Sequence, residues 1–317
     1  MNFKKEYLLI LLVIIGLSVY IYTRNTDRMN YELPEIPPIE RGKVSRIVIE
    51  KPDGTIVLTK KEQGWVAGER EYPARAHSVE QLLTVLDAFS LIDLVALSKN
   101  YARYALNPEA AIQVRAWAGQ EEIRSFRVGK SASTYRNAYV KIEDDPFIYL
   151  SGTNLKSTFD KDLAHFQDKT VLSFDRTRLT EMTLHGPGRE LALYRKDQAA
   201  EPGESNATAA PTPDTGLTTA GQGMDPTRVR ALTEALVDLK CAAYLQDRTK
   251  ADFQDPDYRV VLQGAERSEL NLFVESQDTN ATEYRGTSLE NDFPFTLAQY
   301  KGDAILEALD ALLVPEE

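Results

Sequence analysis

Cysteine is almost absent: the 317 residues hold one, Cys241. No internal disulfide can form, so in an oxidising compartment the fold would rest on packing alone. Cys241 itself reads as a buried core thiol on the apolar face of a helix. Histidine is scarce too, with only His77, His165 and His185. No two of them stand at metal-ligand spacing and no His-Glu-x-x-His element occurs, so surface or capping roles are expected and no metal site is read. A Gly-x-Ser-x-Gly nucleophile elbow is missing. So is an alternating-acid calcium loop with a central glycine. Gly129-Lys130-Ser131 looks like the end of a phosphate loop, but the glycine needed five residues earlier is Arg124, so a strand-end loop is expected. Basic residues are outnumbered, 37 Lys and Arg against 48 Asp and Glu, for a formal net charge of −11. That balance argues against nucleic acid, whose phosphates need clustered cations, and against a polybasic membrane patch. The carboxylates give no readable catalytic pair. Asp144-Asp145 falls in a turn, where Asp is common for backbone reasons, and Asp160 and Asp162 flank Lys161 on a solvated helix. No catalytic residue and no cofactor is assigned.

Long uncharged runs are also rare, and Tyr7–Tyr22 is the one that could enter a bilayer: sixteen residues, led in by Lys4-Lys5 and followed by Thr23-Arg24. As a helix it would be about 24 Å long at ~1.5 Å per residue, a little under the ~30 Å hydrocarbon core. Lys4 and Lys5 can snorkel at one end while Tyr20 and Tyr22 sit at the other interface. The best signal-peptide cleavage site, Gly16-Leu17-Ser18, would leave an apolar Val-Tyr-Ile-Tyr terminus. With no cysteine beside the run, a lipoprotein anchor is excluded. An uncleaved single-pass anchor is therefore expected, N-terminus inside. The bulk of the chain would lie outside the cytoplasm, in the periplasm if the cell is Gram-negative.

Residues 23–42 carry Pro34, Pro37 and Pro38 and read as an extended stalk. The first repeat is placed at 43–176. Its strands are Val44–Glu50, Thr55–Lys60 and Gly64–Val66. A helix follows with a capping box at Ser78–Gln81, and Val79, Leu82, Leu83, Leu86 and Phe89 share one face. Hairpins follow at Ile112–Trp117 with Ile123–Val128 and at Ala138–Ile142 with Phe147–Leu150, then a helical stretch from Thr153 to Leu163. The plan recurs at 177–317. Leu179–His185 and Glu190–Tyr194 form a hairpin, Asp225-Pro226 opens a helix, and Val229, Leu232, Leu236 and Leu239 repeat the apolar face. Tyr258–Leu262 and Leu270–Val274 match the second hairpin, and a helix over Asp303–Leu313 closes the copy. An offset near ~145 residues signals domain duplication, not a solenoid. Residues 197–223 are rich in Ala, Thr, Pro and Gly, without Lys or Arg, and read as a disordered insert. The expected fold is α+β: an N-terminal transmembrane helix, then two tandem copies of a mainly antiparallel sheet with helices packed on one face.

Several motifs are shared with a known family: the anchor, Gly64-Trp65 after a hairpin, and Tyr104-Ala-Leu-Asn-Pro108. Phe126-Arg-Val-Gly129 before a Tyr-Val-Lys strand and Phe166-Gln-Asp-Lys-Thr-Val-Leu172 complete the set. In these the chain resembles domain-of-unknown-function family 4340 over nearly its whole length. Ala105 stands where the family pattern has glycine. Members are often encoded beside ABC-transporter genes of the gliding-motility type. The resemblance therefore implies an envelope protein that accompanies an ABC transporter, and it implies no catalytic residues.

An aromatic surplus in the first repeat gathers Trp65 and Trp117 with Tyr72, Tyr101, Tyr104, Tyr135 and Tyr139. Core packing is its plain role. The sharper reading is a partner or ligand surface on Trp65, Tyr101, Tyr104, Tyr135 and Tyr139, since Tyr and Trp suit interfaces. The expected function is a membrane-anchored, non-catalytic extracytoplasmic accessory or binding subunit of an ABC-type transport system. Its partners would be the permease, other envelope proteins and the membrane itself through the N-terminal helix. An envelope scaffold, or an anchored hydrolase acting on glycan or peptide, are the alternatives.

Overall fold

The computed structural model describes residues 5–26, 33–97, 99–142, 144–195, 217–218, 225–276 and 282–313. The chain divides into two compact units, Met1–Gln167 and Asp168–Glu317. Both are α+β, and their strands pair antiparallel.

Unit 1 holds strands β1 (Arg46–Lys51), β2 (Gly54–Lys61), β3 (Gly64–Ala67), β4 (Tyr72–Pro73), β5 (Leu91–Ala96), β6 (Ile112–Ala118), β7 (Glu121–Ser131), β8 (Ala138–Ile142) and β9 (Ile148–Ser151). They form one nine-stranded sheet in the order β4-β3-β2-β1-β6-β7-β8-β9-β5. Its helices are α1 (Lys5–Thr26), α2 (Ala76–Asp87), α3 (Leu155–Phe159) and α4 (Leu163–Phe166). In α1, Leu11–Ile15, Leu17 and Val19–Ile21 are exposed apolar side chains. Among the described residues, no helix is long and apolar enough to cross a membrane.

Period-2 alternation decides the core. Ile47 and Ile49 of β1, Val114 of β6, Phe126 and Val128 of β7 and Val140 of β8 point to the face where α2 lies. The α2 stripe Val79, Leu82, Leu83 and Leu86 is buried against them, and Phe89 stacks on Phe126 with ring centroids 4.5 Å apart. Each such side chain contributes roughly 1.5–3 kcal/mol on burial, which an isolated helix of this length could not supply for itself. The expected capping box does not form. The helix starts earlier, after Arg75, whose N–H bonds the Phe166 carbonyl at 2.7 Å. Ser78 is thereby carried inside the helix, buried, and donates to the carbonyl of His165 at 3.3 Å. The helical stretch expected over Thr153–Leu163 is broken into α3 and α4.

Part of the expected stalk is fastened to the unit. Leu33, Ile36 and Ile39 pack on the core. The Ile39 N–H bonds Asp87 Oδ1 at 3.2 Å, and Arg124 Nη2 donates to the Pro37 carbonyl at 2.6 Å. Arg41 then bonds Asp87, Thr84 and Glu80 at 3.0, 3.1 and 3.4 Å. Proline fixes the extended course here, and an aliphatic residue at every third position gives that course a face to bury. Residues 33–41 form a strap along α2.

Unit 2 holds β10 (Thr170–Leu172), β11 (Glu181–Gly186), β12 (Arg189–Arg195), β13 (Leu217–Thr218), β14 (Leu239–Lys240), β15 (Ala243–Tyr244), β16 (Tyr258–Gln263), β17 (Arg267–Ser276), β18 (Thr282–Ser288) and β19 (Phe295–Leu297). Its helices are α5 (Pro226–Leu236) and α6 (Gln299–Leu313). The eight-stranded sheet runs β13-β12-β11-β16-β17-β18-β19-β15, and β10 pairs with β14 separately. That pairing puts 168–173 in this unit, so the division falls before Asp168 and not near residue 176. Asp225 caps α5, accepting from the Thr227 N–H at 2.9 Å, with Pro226 in the first turn. Helix α5 stops at Leu236 because Val237 is extended and Asp238 takes φ 50°. Leu239 therefore lies in β14 instead of extending the helical stripe. Cys241 follows it on extended chain, buried as expected but not on a helix, with burial pushing its thiol up to about 11. The expected insert 197–223 lies outside the described residues except for Leu217-Thr218. Leu217, the single large aliphatic residue of that stretch, is buried, and the pair hydrogen-bonds to β12 as β13.

The Tyr104–Pro108 motif and Gly129 meet in one contact. A short 3-10 turn at Tyr101–Tyr104 ends on Ala105, which takes φ 54°, ψ 40°. Leu106 beyond it is fully buried. A Cβ on Gly129 would stand 2.2 Å from the Tyr104 carbonyl oxygen and 3.0 Å from Leu106 Cγ. Glycine at 129 lets the turn sit on β7. Both tryptophans belong to unit 1, so their fluorescence reports its unfolding. Gly129→Ala is expected to destabilise unit 1 by about 1–3 kcal/mol through overpacking; an unchanged denaturant midpoint would refute the contact. Ala105→Gly relieves a left-handed alanine but loosens the unfolded chain, so its expected effect runs from neutral to about 1 kcal/mol stabilising. Ala105→Val should cost about 2 kcal/mol, since β-branching opposes positive φ.

Candidate functional site

The face of the unit 1 sheet turned away from α2 carries the opposite parity of each strand. Register sets Arg46 beside Trp117, Glu50 beside Gln113, Gln113 beside Arg127, and Arg127 beside Lys141. Trp117 holds two guanidinium groups, Arg46 at 5.3 Å and Arg115 at 5.6 Å from its ring centroid. Arg115 also pairs with Glu50. Arg127 Nε donates to Gln113 Oε1 at 2.8 Å. Under the turn carrying Pro108 and Ala111, Glu50, Lys51, Gln113 and Arg127 line a cavity of about 150 Å³.

Three of the five sequence-selected aromatic residues meet at one end of this face. Tyr104 and Tyr139 contact edge to face at 4.8 Å. Lys141 Nζ lies 6.0 Å from the Tyr101 ring, and the Tyr101 hydroxyl donates to the Pro146 carbonyl at 2.9 Å. Arg103 lies 5.9 Å from the Tyr104 ring. Tyr135 stands apart on the β7–β8 loop, 79% exposed, at φ 58°. Trp65 is not part of the cluster: it lies on β3, towards the other end of the sheet, and packs on the core. The cations Arg46, Arg115, Arg127 and Lys141 were missed from sequence, although Gln-x-Arg-x-Trp in β6 carries the signal as polar parity. The resulting surface is cationic and aromatic, a combination suited to an acidic partner.

The corresponding face of unit 2 is neutralised internally. Arg267 pairs with Glu269 at 3.1 Å, and Arg285 with Glu275 at 2.7 Å and Glu283 at 3.2 Å. His185 lies 3.6 Å from Glu190.

The other two histidines share a groove on the helical side of unit 1, between α2, α3 and α4. The Gln81 amide nitrogen is 2.9 Å from His77 Nε2. Burial, then the charges of Lys161 and Arg75, hold the His165 imidazole below its ordinary value. Lys130 lies near the end of β7, which continues to Ser131 as strand. Asp145 accepts from the Phe147 N–H at 2.9 Å as a turn residue, and Asp162 caps α4. Among the described residues, no group of three or more His, Cys, Asp or Glu side chains could hold a metal ion.

No curated protein and no solved structure matches the chain. A family model described as a domain of unknown function, DUF4340, matches residues 65–257. That interval holds the tyrosine cluster, Gly129, the helical groove and the start of the second unit, and the chain belongs to the DUF4340 family.

Proposed function

We propose that the protein is a membrane-anchored, extracytoplasmic binding subunit that accompanies an ABC-type transport system and acts by binding, not catalysis. The supporting observation is the strap. It fixes residues 33–41 along α2, so six residues, 27–32, lie between α1 and the strap. Helix α1 has 22 residues, about 33 Å at ~1.5 Å per residue, comparable with a ~30 Å hydrocarbon core. Its stretch Tyr7–Tyr22 is uncharged. In this reading α1 is the single-pass anchor, the permease contacts it in the bilayer, and unit 1 is held close to the membrane surface. The two units are copies of one module, since their strand orders correspond from β3 to β5 and from β13 to β15. They differ in the face turned from the helices. The first copy offers Arg46 and Arg127 to an acidic partner, while the arginines of the second pair with its own glutamates.

A scaffold that bridges envelope proteins through sheet edges is the second reading. It is favoured by β5, an end strand of its sheet, with Ile92 52% and neighbouring Leu97 63% exposed. Such an edge can accept an added strand.

Crosslinked pull-down from native membranes separates the two. The full chain is compared with a form in which residues 5–26 are replaced by an unrelated single-span helix, leaving the strap intact. Recovery of an ABC permease only with the native helix is expected. Envelope proteins recovered equally with both forms, and no permease, would shift the assignment to the scaffold. Charge reversal at Arg46 and Arg127 to Glu should reduce recovery of a partner held by unit 1 at least tenfold, because like charges across an interface are strongly disfavoured. Undiminished recovery would remove this face from the interface.

A further inference from the structure

The groove on the helical side of unit 1 encloses about 600 Å³, within the ~300–1,000 Å³ of small-molecule sites. Its floor is apolar: Leu82 and Phe166 are buried and Val85 half-buried. Hydroxyl groups stand on both walls, Thr84 on α2 and Ser157 and Thr158 on α3; Thr84 and Ser157 donate to the Glu80 and Asn154 carbonyls, so each meets a ligand as an acceptor. Such walls match a polyol, and such a floor matches the C–H face of a sugar ring.

The charges select among polyols. Lys161, between α3 and α4, lines the groove and has no ion-pair partner among the described residues. Arg75 and Asp162 act on His165 with opposite sign, and neither lines the groove. The carboxylate in the lining, Glu80, is 3.4 Å from Arg41 of the strap, which partly offsets its repulsion of an anion. The backbone at His165 is tied to α2 by the Ser78 hydroxyl, which donates to its carbonyl, and the imidazole stands edge-on to the Phe166 ring at 5.1 Å.

We propose that this groove binds a short saccharide bearing carboxylate groups, a uronic-acid type, with the carboxylate on Lys161 and the ring hydroxyls on the Thr84, Ser157 and Thr158 walls. The site lies wholly in unit 1 and does not depend on the transporter reading.

The test is isothermal titration of the full chain in detergent with digalacturonate, the neutral disaccharide lactose, and the plain dicarboxylate glutarate. Saturable binding of digalacturonate is expected, with lactose and glutarate each at least tenfold weaker. Lys161→Ala should weaken digalacturonate at least tenfold, with Lys161→Gln as a second variant should the first fail to fold. Three results would overturn the proposal: no saturable digalacturonate binding, glutarate binding as tightly as the saccharide, or binding unchanged in the Lys161 variants.

Discussion

Each sheet can be covered by helices on one face only, and the rest of the molecule follows from how the other face meets water. In unit 1 the covered face takes Ile47, Ile49, Val114, Phe126 and Val140, and α2 seals them with Val79, Leu82 and Leu86. Strand alternation then commits Arg46, Glu50, Gln113, Arg115 and Arg127 to the opposite side. A row of cations on one face of a chain with net charge −11 would repel itself if left bare. Trp117 spreads two of them over its ring, Glu50 engages one of those, and Gln113 orients Arg127. These partners are aromatic or neutral apart from Glu50, so the face keeps a positive excess. In unit 2 the same parity is filled with Glu269, Glu275 and Glu283, and the arginines are neutralised where they stand.

The strap is the second constraint. Arg41 reaches Asp87, Thr84 and Glu80 on α2, and Glu80 and Thr84 also line the groove. Exposed ion pairs of this kind contribute little individually, about 0–1 kcal/mol. Their value is geometric: together with buried contacts of Leu33, Ile36 and Ile39 they fix where the chain leaves the unit. Arg124 belongs to the same latch. It is 8% exposed, lies over the Phe89 ring at 5.9 Å and caps the Pro37 carbonyl. Sewn along α2, residues 33–41 end at the rim of the groove, where Arg41 meets Thr84 and Glu80.

Much of this was legible from sequence where one period dominates. The α2 stripe, the β1–β2 and β6–β7 hairpins and the Asp225-Pro226 helix start were read with small boundary shifts because local pattern and tertiary burial agree there. The reading failed where tertiary contact overrides local chemistry. Ser78 looks like a cap, but the Arg75–Phe166 backbone bond starts the helix earlier. Leu239 keeps the helical spacing, but Asp238 at φ 50° ends any helix before it. Proline content hid the three-residue repeat of Leu33, Ile36 and Ile39, and low complexity hid Leu217. The aromatic set was split because residue type alone does not carry parity. Tyr139 lies on the polar face of its strand and joins Tyr104, whereas Trp65 is drawn to the core.

The two units also solve one local problem in opposite ways. Each has a 3-10 turn before its central hairpin, and each turn is followed by a non-glycine residue in the left-handed region, Ala105 at φ 54° and Asp255 at φ 54°. Asp tolerates that region better than Ala, so the strain is greater in unit 1. Register aligns Phe126 with Leu270, since each faces the strand residue beside Ile49 or Leu184. Three residues on, unit 1 has Gly129 and unit 2 has Phe273. Without a side chain at 129 the turn backbone descends onto the strand, burying Leu106 and bringing Tyr104 to Tyr139. With Phe273 in that place, the turn is held by ring contact instead, Phe253 on Phe273 at 5.1 Å. Deleting one side chain thus converts an aromatic prop into a platform that presents tyrosines beside Lys141 and Arg103. The tyrosine end of the unit 1 face begins at the glycine.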